Sequence, residues 1–283
     1  MNGKTQRLLL ASLMVALFAV WAVVVGAQPS ANTPALATTI TPVYGDEDAK
    51  PIAMLTIFDP WAMVLGADSP VFVLYETGQV IYSRVNNDNE LEYWSVMLDE
   101  QEVEALDNVL QVDAISELDE YYDLALMTDQ PSETFTVAGE FGGLKQVGVY
   151  GSLQHDEEVR AASPDALVEA FDLMTSYEHP DAELWLPEKF EVVIWPWDTS
   201  GAVDWPADFP QLDSPFAVER ESVTSMYVDT SEYERFTALV EDAGAVRLDG
   251  ETYAVSVRWP FPHEVVWPTA GPMSTAEPTD ETK

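Results

Sequence analysis

The sequence predicts an α+β fold, in which short antiparallel strands form hairpins and about three helices pack on them, behind an N-terminal export signal or anchor. Three observations carry that prediction. Runs rich in β-formers come in pairs across tight turns, at Thr77-Gly78 and again at Asp249-Gly250. The apolar period lengthens from two to about 3.6 at Asp99, Ser163 and Asp229. Strands also follow strands instead of alternating with helices, which argues against a doubly wound parallel sheet.

The first clear strands are Val71 to Tyr75 and Gln79 to Val85, joined at Thr77-Gly78. A turn at 86–89 leads to a third strand in "ELEYWSVML", and "IAMLTIF" reads as a fourth, preceding them. Helix follows from Asp99, where Asp99 and Glu102 have the spacing of a capping box and Val103, Leu106, Val109 and Leu110 fall on one face. "ETFTVAG" and "KQVGVYG" form the next hairpin. The second helix opens with Ser163 as N-cap and Pro164 in its first turn, and repeats Leu167, Phe171 and Met174 along its buried side.

A soft boundary falls at 180–190, so that 51–180 and 181–267 read as two α+β domains or subdomains, the second rich in Trp and Pro. "FEVVIWPW" is a strand closed by Pro196. Asp229 and Glu232 repeat the spacing of Asp99 and Glu102 before a third helix with Tyr233, Phe236, Leu239 and Val240 inward, and a hairpin turning at Asp249-Gly250 ends the folded part. The shared spacing fits either a duplication or two independent helix starts.

Residues 1–27 read as a signal peptide or signal anchor, because Lys4 and Arg7 precede an uncharged apolar run from Leu8 to Ala27. At about 1.5 Å per residue such a run matches a bilayer core of about 30 Å, so it can act as a signal or as an anchor. Val25-Gly26-Ala27 offers the small residues of a cleavage site. The rest of the chain is then expected outside the cytoplasmic membrane, whether periplasmic, extracellular or anchored, with membrane contact only through residues 8–27. Segments 28–50 and 268–283 have the Pro, Ala and Thr content of a disordered linker and tail.

The chain has no cysteine, so no disulfide holds an exported fold and packing must do so alone, a habit of bacterial and archaeal export. Its formal charge of -38 repels phosphate backbones and excludes a nucleic-acid partner. Carboxylates spread along the whole chain suit screening by salt better than one cation site, although "NNDNE" at 86–90 and "HDEE" at 155–158 could ligate Ca²⁺ without having the spacing of a calcium loop. No cofactor motif is present.

The residues that could carry binding are aromatic. Trp195-Pro196, Trp205-Pro206, Trp259-Pro260 and Trp267-Pro268, with Trp197 beside the first, suit an unknown protein or polysaccharide partner. The plainer reading, that they cover sheet ends, carries more weight. Asp204 and Asp208 flank Trp205, and His263 and Glu264 lie close to Trp267, so a glycan hydrolase built on two carboxylates is the alternative to a non-catalytic binder. His155, His179 and His263 lack metal-binding spacing, and Ser152 lacks the glycines of a nucleophile elbow.

"LYETGQVIY", "YDLALMTDQPSETFTV" and "VGVYG" resemble segments of uncharacterised exported bacterial proteins. The resemblance implies export and a small α+β architecture, and it carries no activity.

Overall fold

The structure, a computed structural model, describes residues 49–264 except 59, 62–67, 88–90, 140–141, 221–222 and 242. The export segment, most of the 28–50 linker, Trp267 and the 268–283 tail lie outside the described residues, as does part of the 86–90 segment. Among the described residues no helix is long and apolar enough to cross a membrane.

Alternating and apolar runs produce two mainly antiparallel sheets. The first contains β1 (Pro51–Phe58), β2 (Pro70–Tyr75), β3 (Gln79–Val85), β4 (Leu91–Met97), β5 (Tyr121–Asp123), β6 (Ser132–Ala138), β7 (Leu144–Tyr150) and β8 (Glu183–Leu184). Its order is β5-β7-β6-β1-β2-β3-β4-β8, and only the β5–β7 pair is parallel. The second contains β9 (Lys189–Pro196), β10 (Val203–Asp204), β11 (Ala217–Arg220), β12 (Val223–Asp229), β13 (Ala245–Leu248) and β14 (Glu251–Arg258). Its order is β10-β13-β14-β9-β12-β11, with β10–β13 the parallel pair.

Both tight turns require left-handed backbone. Gly78 has φ +88°, and a Cβ there would stand 2.5 Å from the Leu98 carbonyl oxygen, so only glycine fits where β3 passes β4. Asp249 and Gly250 both have positive φ, the geometry of the hairpin turn whose twist matches the strands it joins.

Five α-helices are described instead of the expected three: α1 (Glu100–Leu110), α2 (Val112–Ser116), α3 (Glu157–Ala162), α4 (Asp165–Ser176) and α5 (Tyr233–Val240). The two extra ones are a five- and a six-residue turn, too short to show a period. The Asp99–Glu102 capping box forms as the spacing requires. Val109, expected inward, is exposed, because α1 ends at Gln111 in a left-handed conformation and only Leu110 is fully buried.

Two expected caps fail for a shared reason. Ser163 does not cap α4; its hydroxyl donates to the Val159 carbonyl and closes α3, which ends one residue earlier. Asp229 makes no side-chain cap, since a 3₁₀ turn at Thr230–Glu232 precedes α5 and the Asp229 carboxylate pairs with Lys189 across the sheet. In each case a nearby partner outcompetes the helix N-terminus. The hairpin after each helix also joins its sheet differently, β6 on β1 but β14 on β9, so the repeated spacing marks two helix starts without a repeated wiring.

Helices α1, α2, α3 and α4 cover one face of the first sheet, burying Leu55, Phe72, Phe135, Leu167 and Phe171 in one core. α5 covers one face of the second sheet and sets its own Phe236 against Phe190, Ile194 and Met226. The other face of the first sheet is also buried: Val73, Tyr75, Ile81 and Tyr93 pack against Phe261, Trp185 and Trp259. β2 buries side chains on both faces, and the turn after β14 is what joins the sheets.

Candidate functional site

The junction between the sheets is built from polar groups placed inside apolar strands. Glu191 follows Phe190 on β9 and Arg258 ends β14; the two are register partners and fully or almost fully buried. Arg258 donates through one terminal nitrogen to Glu191 Oε2 at 3.1 Å, and through the other to both oxygens of Glu264 in the turn beyond the strand. Ser225 donates to the second oxygen of Glu191, and Arg220 reaches toward it at 3.6 Å while donating to the Tyr227 hydroxyl. Burial pushes the Glu264 carboxyl up, and Arg258 pulls it back only in part.

One residue earlier, His263 crosses to the first sheet. Its Nδ1 lies 2.8 Å from the Tyr75 hydroxyl. Burial, and after it the Arg258 charge, push the imidazole down to about 4, so it is neutral near pH 7. Phe261, stacked edge-on against Tyr93 at 5.4 Å, completes the contact.

Beside this junction lies a cleft of about 820 Å³ between the β4–β8 edge of the first sheet, the end of β14 and α5. Tyr93, Tyr233 and Trp259 form its aromatic wall, and the Tyr233 and Trp259 rings are 4.6 Å apart. Leu91, Leu184 and Leu186 line it while remaining more than half exposed. Large apolar side chains held in water around a concavity are the usual mark of a binding site rather than of a sheet cover. Glu92 and Glu234 add negative charge, and the one cation facing the cleft among the described residues, Arg258, is already neutralised by Glu191 and Glu264.

The residues singled out from sequence are dispersed. Trp259 lines the cleft. Trp205 is buried against Phe209 and Phe236, and its Nε1 donates to the Pro210 carbonyl, so it closes the core of the second sheet. Trp195 is half-buried on the opposite face with Val193 and Ala254, and Trp197 is exposed at the strand end. Asp204 pairs with Arg247 at 2.6 Å, and Asp208 holds Arg235 through both oxygens, whose hydrogen bonds lower its pKa. His263 and Glu264 belong to the junction.

The histidines have separate duties: His179 Nδ1 accepts from the Asp181 amide, and His155 lies in a different depression beside Leu126 and Met127. "HDEE" is the start of α3, whose Asp156 carboxylate accepts from the Glu158 and Val159 amides. Among the described residues no three His, Asp or Glu side chains gather as a metal site would need. Because the carboxylates are spread along the whole chain, raising CaCl₂ or NaCl at matched ionic strength is expected to stabilise it equally in thermal unfolding; a saturable rise with Ca²⁺ alone would sink that expectation.

No protein-family model, curated protein or solved structure matches this chain.

Tyr93, Tyr233, Glu92, Glu234, Glu191 and Arg258 were not read from the sequence as site residues. A signal existed for the last two. A single Glu in "FEVVIW" and a single Arg in "VSVRW" are charges inside apolar strands, and such charges are buried only when paired. Nothing local marked the cleft, since its walls come from positions as distant as Tyr93 and Trp259.

Proposed function

We propose that this chain is an exported, non-catalytic envelope or secreted protein that captures a partner in the cleft between its two sheets. The observation that carries the reading is the pairing of an aromatic wall, Tyr93, Tyr233 and Trp259, with three leucines left exposed at the same opening. The apolar run behind Lys4 and Arg7 supports export. Trp259 is the member of the Trp-Pro set that contributes to this surface. The carboxylates considered for glycan hydrolysis are each committed to an arginine, which leaves none of them free as an acid or base at the cleft.

A neutral solvatochromic dye tests the reading. Nile red is expected to brighten on binding the parent protein, and Leu184→Asp/Leu186→Asp is expected to remove most of that signal at an unchanged melting temperature, since both side chains are exposed. Undiminished dye binding in the double variant would place the apolar site elsewhere and defeat the proposal.

A further inference from the structure

We infer that the cleft takes an extended, basic polypeptide segment that alternates bulky apolar side chains with lysine or arginine. This rests on the binding reading above and adds the chemistry of the occupant. Two features of the cleft point to it.

The first is an open strand edge. β8 pairs with β4 through Trp94 and Ser95, and just beyond it the Trp185 amide donates to the Tyr93 carbonyl, so the open part of this edge is the Leu91 end of β4, which has no outer strand beside it among the described residues. An unpaired edge next to a concave apolar surface is where an extended chain adds its own strand. Backbone hydrogen bonds then supply affinity, and alternate side chains point into the cleft. Leu91 stands at that open end, and Leu184 and Leu186 flank it on β8 and just beyond it, a spread-out arrangement that suits a chain better than a compact small molecule.

The second is charge. The titratable groups facing the cleft among the described residues are Glu92, Glu234, Arg258, Tyr93 and Tyr233. Arg258 is held by two buried or half-buried carboxylates, so the field at the opening is negative. Glu92 accepts from the Asn86 amide, and Glu234, exposed in the first turn of α5, pairs with no basic side chain among the described residues. The Tyr233 and Trp259 rings add faces that attract a cation. A partner bearing alternate Lys or Arg would place positive charge against Glu92 and Glu234 and its apolar residues against the leucines.

Fluorescence anisotropy with three labelled peptides tests this on the folded protein. They alternate Leu with Lys, Leu with Ser, or Leu with Glu, in about 0.15 M NaCl. Because the whole chain is acidic, Glu157→Lys on α3, away from the cleft, serves as the control for diffuse attraction. The Leu/Lys peptide is expected to bind best, weakened at least about tenfold by Glu234→Lys and less than about twofold by Glu157→Lys. Equal weakening by the two variants, equal binding of the three peptides, or no binding by any would overturn the inference. The dye result decides independently whether the cleft itself is an apolar site, so the two ideas fail separately.

Discussion

Arg258→Ala is expected to lower the unfolding free energy by about 3–5 kcal/mol at pH 8, the largest single-residue effect anticipated here. The side chain is almost fully buried at the end of β14, and it is the shared partner of Glu191, which has no exposed surface, and of Glu264 in the turn that joins the sheets. Removing it leaves two carboxylates in a low-dielectric site. Their desolvation, which the guanidinium had offset, then falls on the folded state alone. Small domains are stable by only about 5–15 kcal/mol, so a loss of this size shows clearly in urea titration. The loss should shrink toward pH 5, where Glu264, whose pKa burial already raises, takes up a proton more readily, and Arg258→Lys should fall between alanine and the parent because an ammonium cannot form the two-oxygen contact with Glu264. A deficit below about 1 kcal/mol at pH 8 would mean that water reaches the cluster and that the junction is held by Phe261 and Trp259 instead.

Glu133→Gln should do the opposite and stabilise the protein in mild alkali. Glu133 lies on the helix-covered side of β6, is buried, and accepts from the Leu153 amide, while its second oxygen has no partner. Burial pushes its pKa up from 4.5 to about 7, with the Leu153 hydrogen bond restraining the rise. The folded state thus binds the proton more tightly than the unfolded state. Stability is full below pH 4.5, falls as pH rises through 7, and is then lower by about 3 kcal/mol. Glutamine keeps the acceptor for Leu153 and removes the ionisation, so a gain of about 1–3 kcal/mol is expected at pH 8 and essentially none at pH 4.5.

His263 works in the reverse direction across an overlapping window. Its folded value of about 4 lies below the usual 6.5, so its contribution is present above pH 6.5 and is lost as pH falls toward 4. The two slopes nearly cancel in the parent between pH 4.5 and 6.5. Glu133→Gln removes one of them, and its stability should therefore climb with pH over that range relative to the parent. Parallel pH profiles for parent and variant would refute the assignment of Glu133 as a buried neutral acid.

Much of the fold was legible because the signals were local. A Gly at position 78 and the Asp249-Gly250 pair dictate turns through their own φ angles, and Asp99 with Glu102 forms a box within four residues. Leu167, Phe171 and Met174 share a helical face whatever lies against it, and all three are buried. Where the same chemistry had a distant competitor, local reading failed. Asp229 had the spacing of a cap but pairs with Lys189, forty residues earlier in sequence, because the 3₁₀ turn at Thr230–Glu232 puts the first turn of α5 beyond its reach while Lys189 stands opposite it on the neighbouring strand.

The antiparallel hairpins, the positions of the long helices and a strongly acidic chain without disulfides follow from the segments one by one, because backbone geometry, period and composition are local. Which tryptophan is cover and which is wall depends on the packing of the whole chain. Trp205 and Trp259 have the same Trp-Pro neighbourhood, yet one is enclosed by Phe209 and Phe236 and the other borders open space beside Tyr233. That difference is set by what packs against each ring, and a ring's environment is a property of elements remote in sequence that meet only when the sheets do.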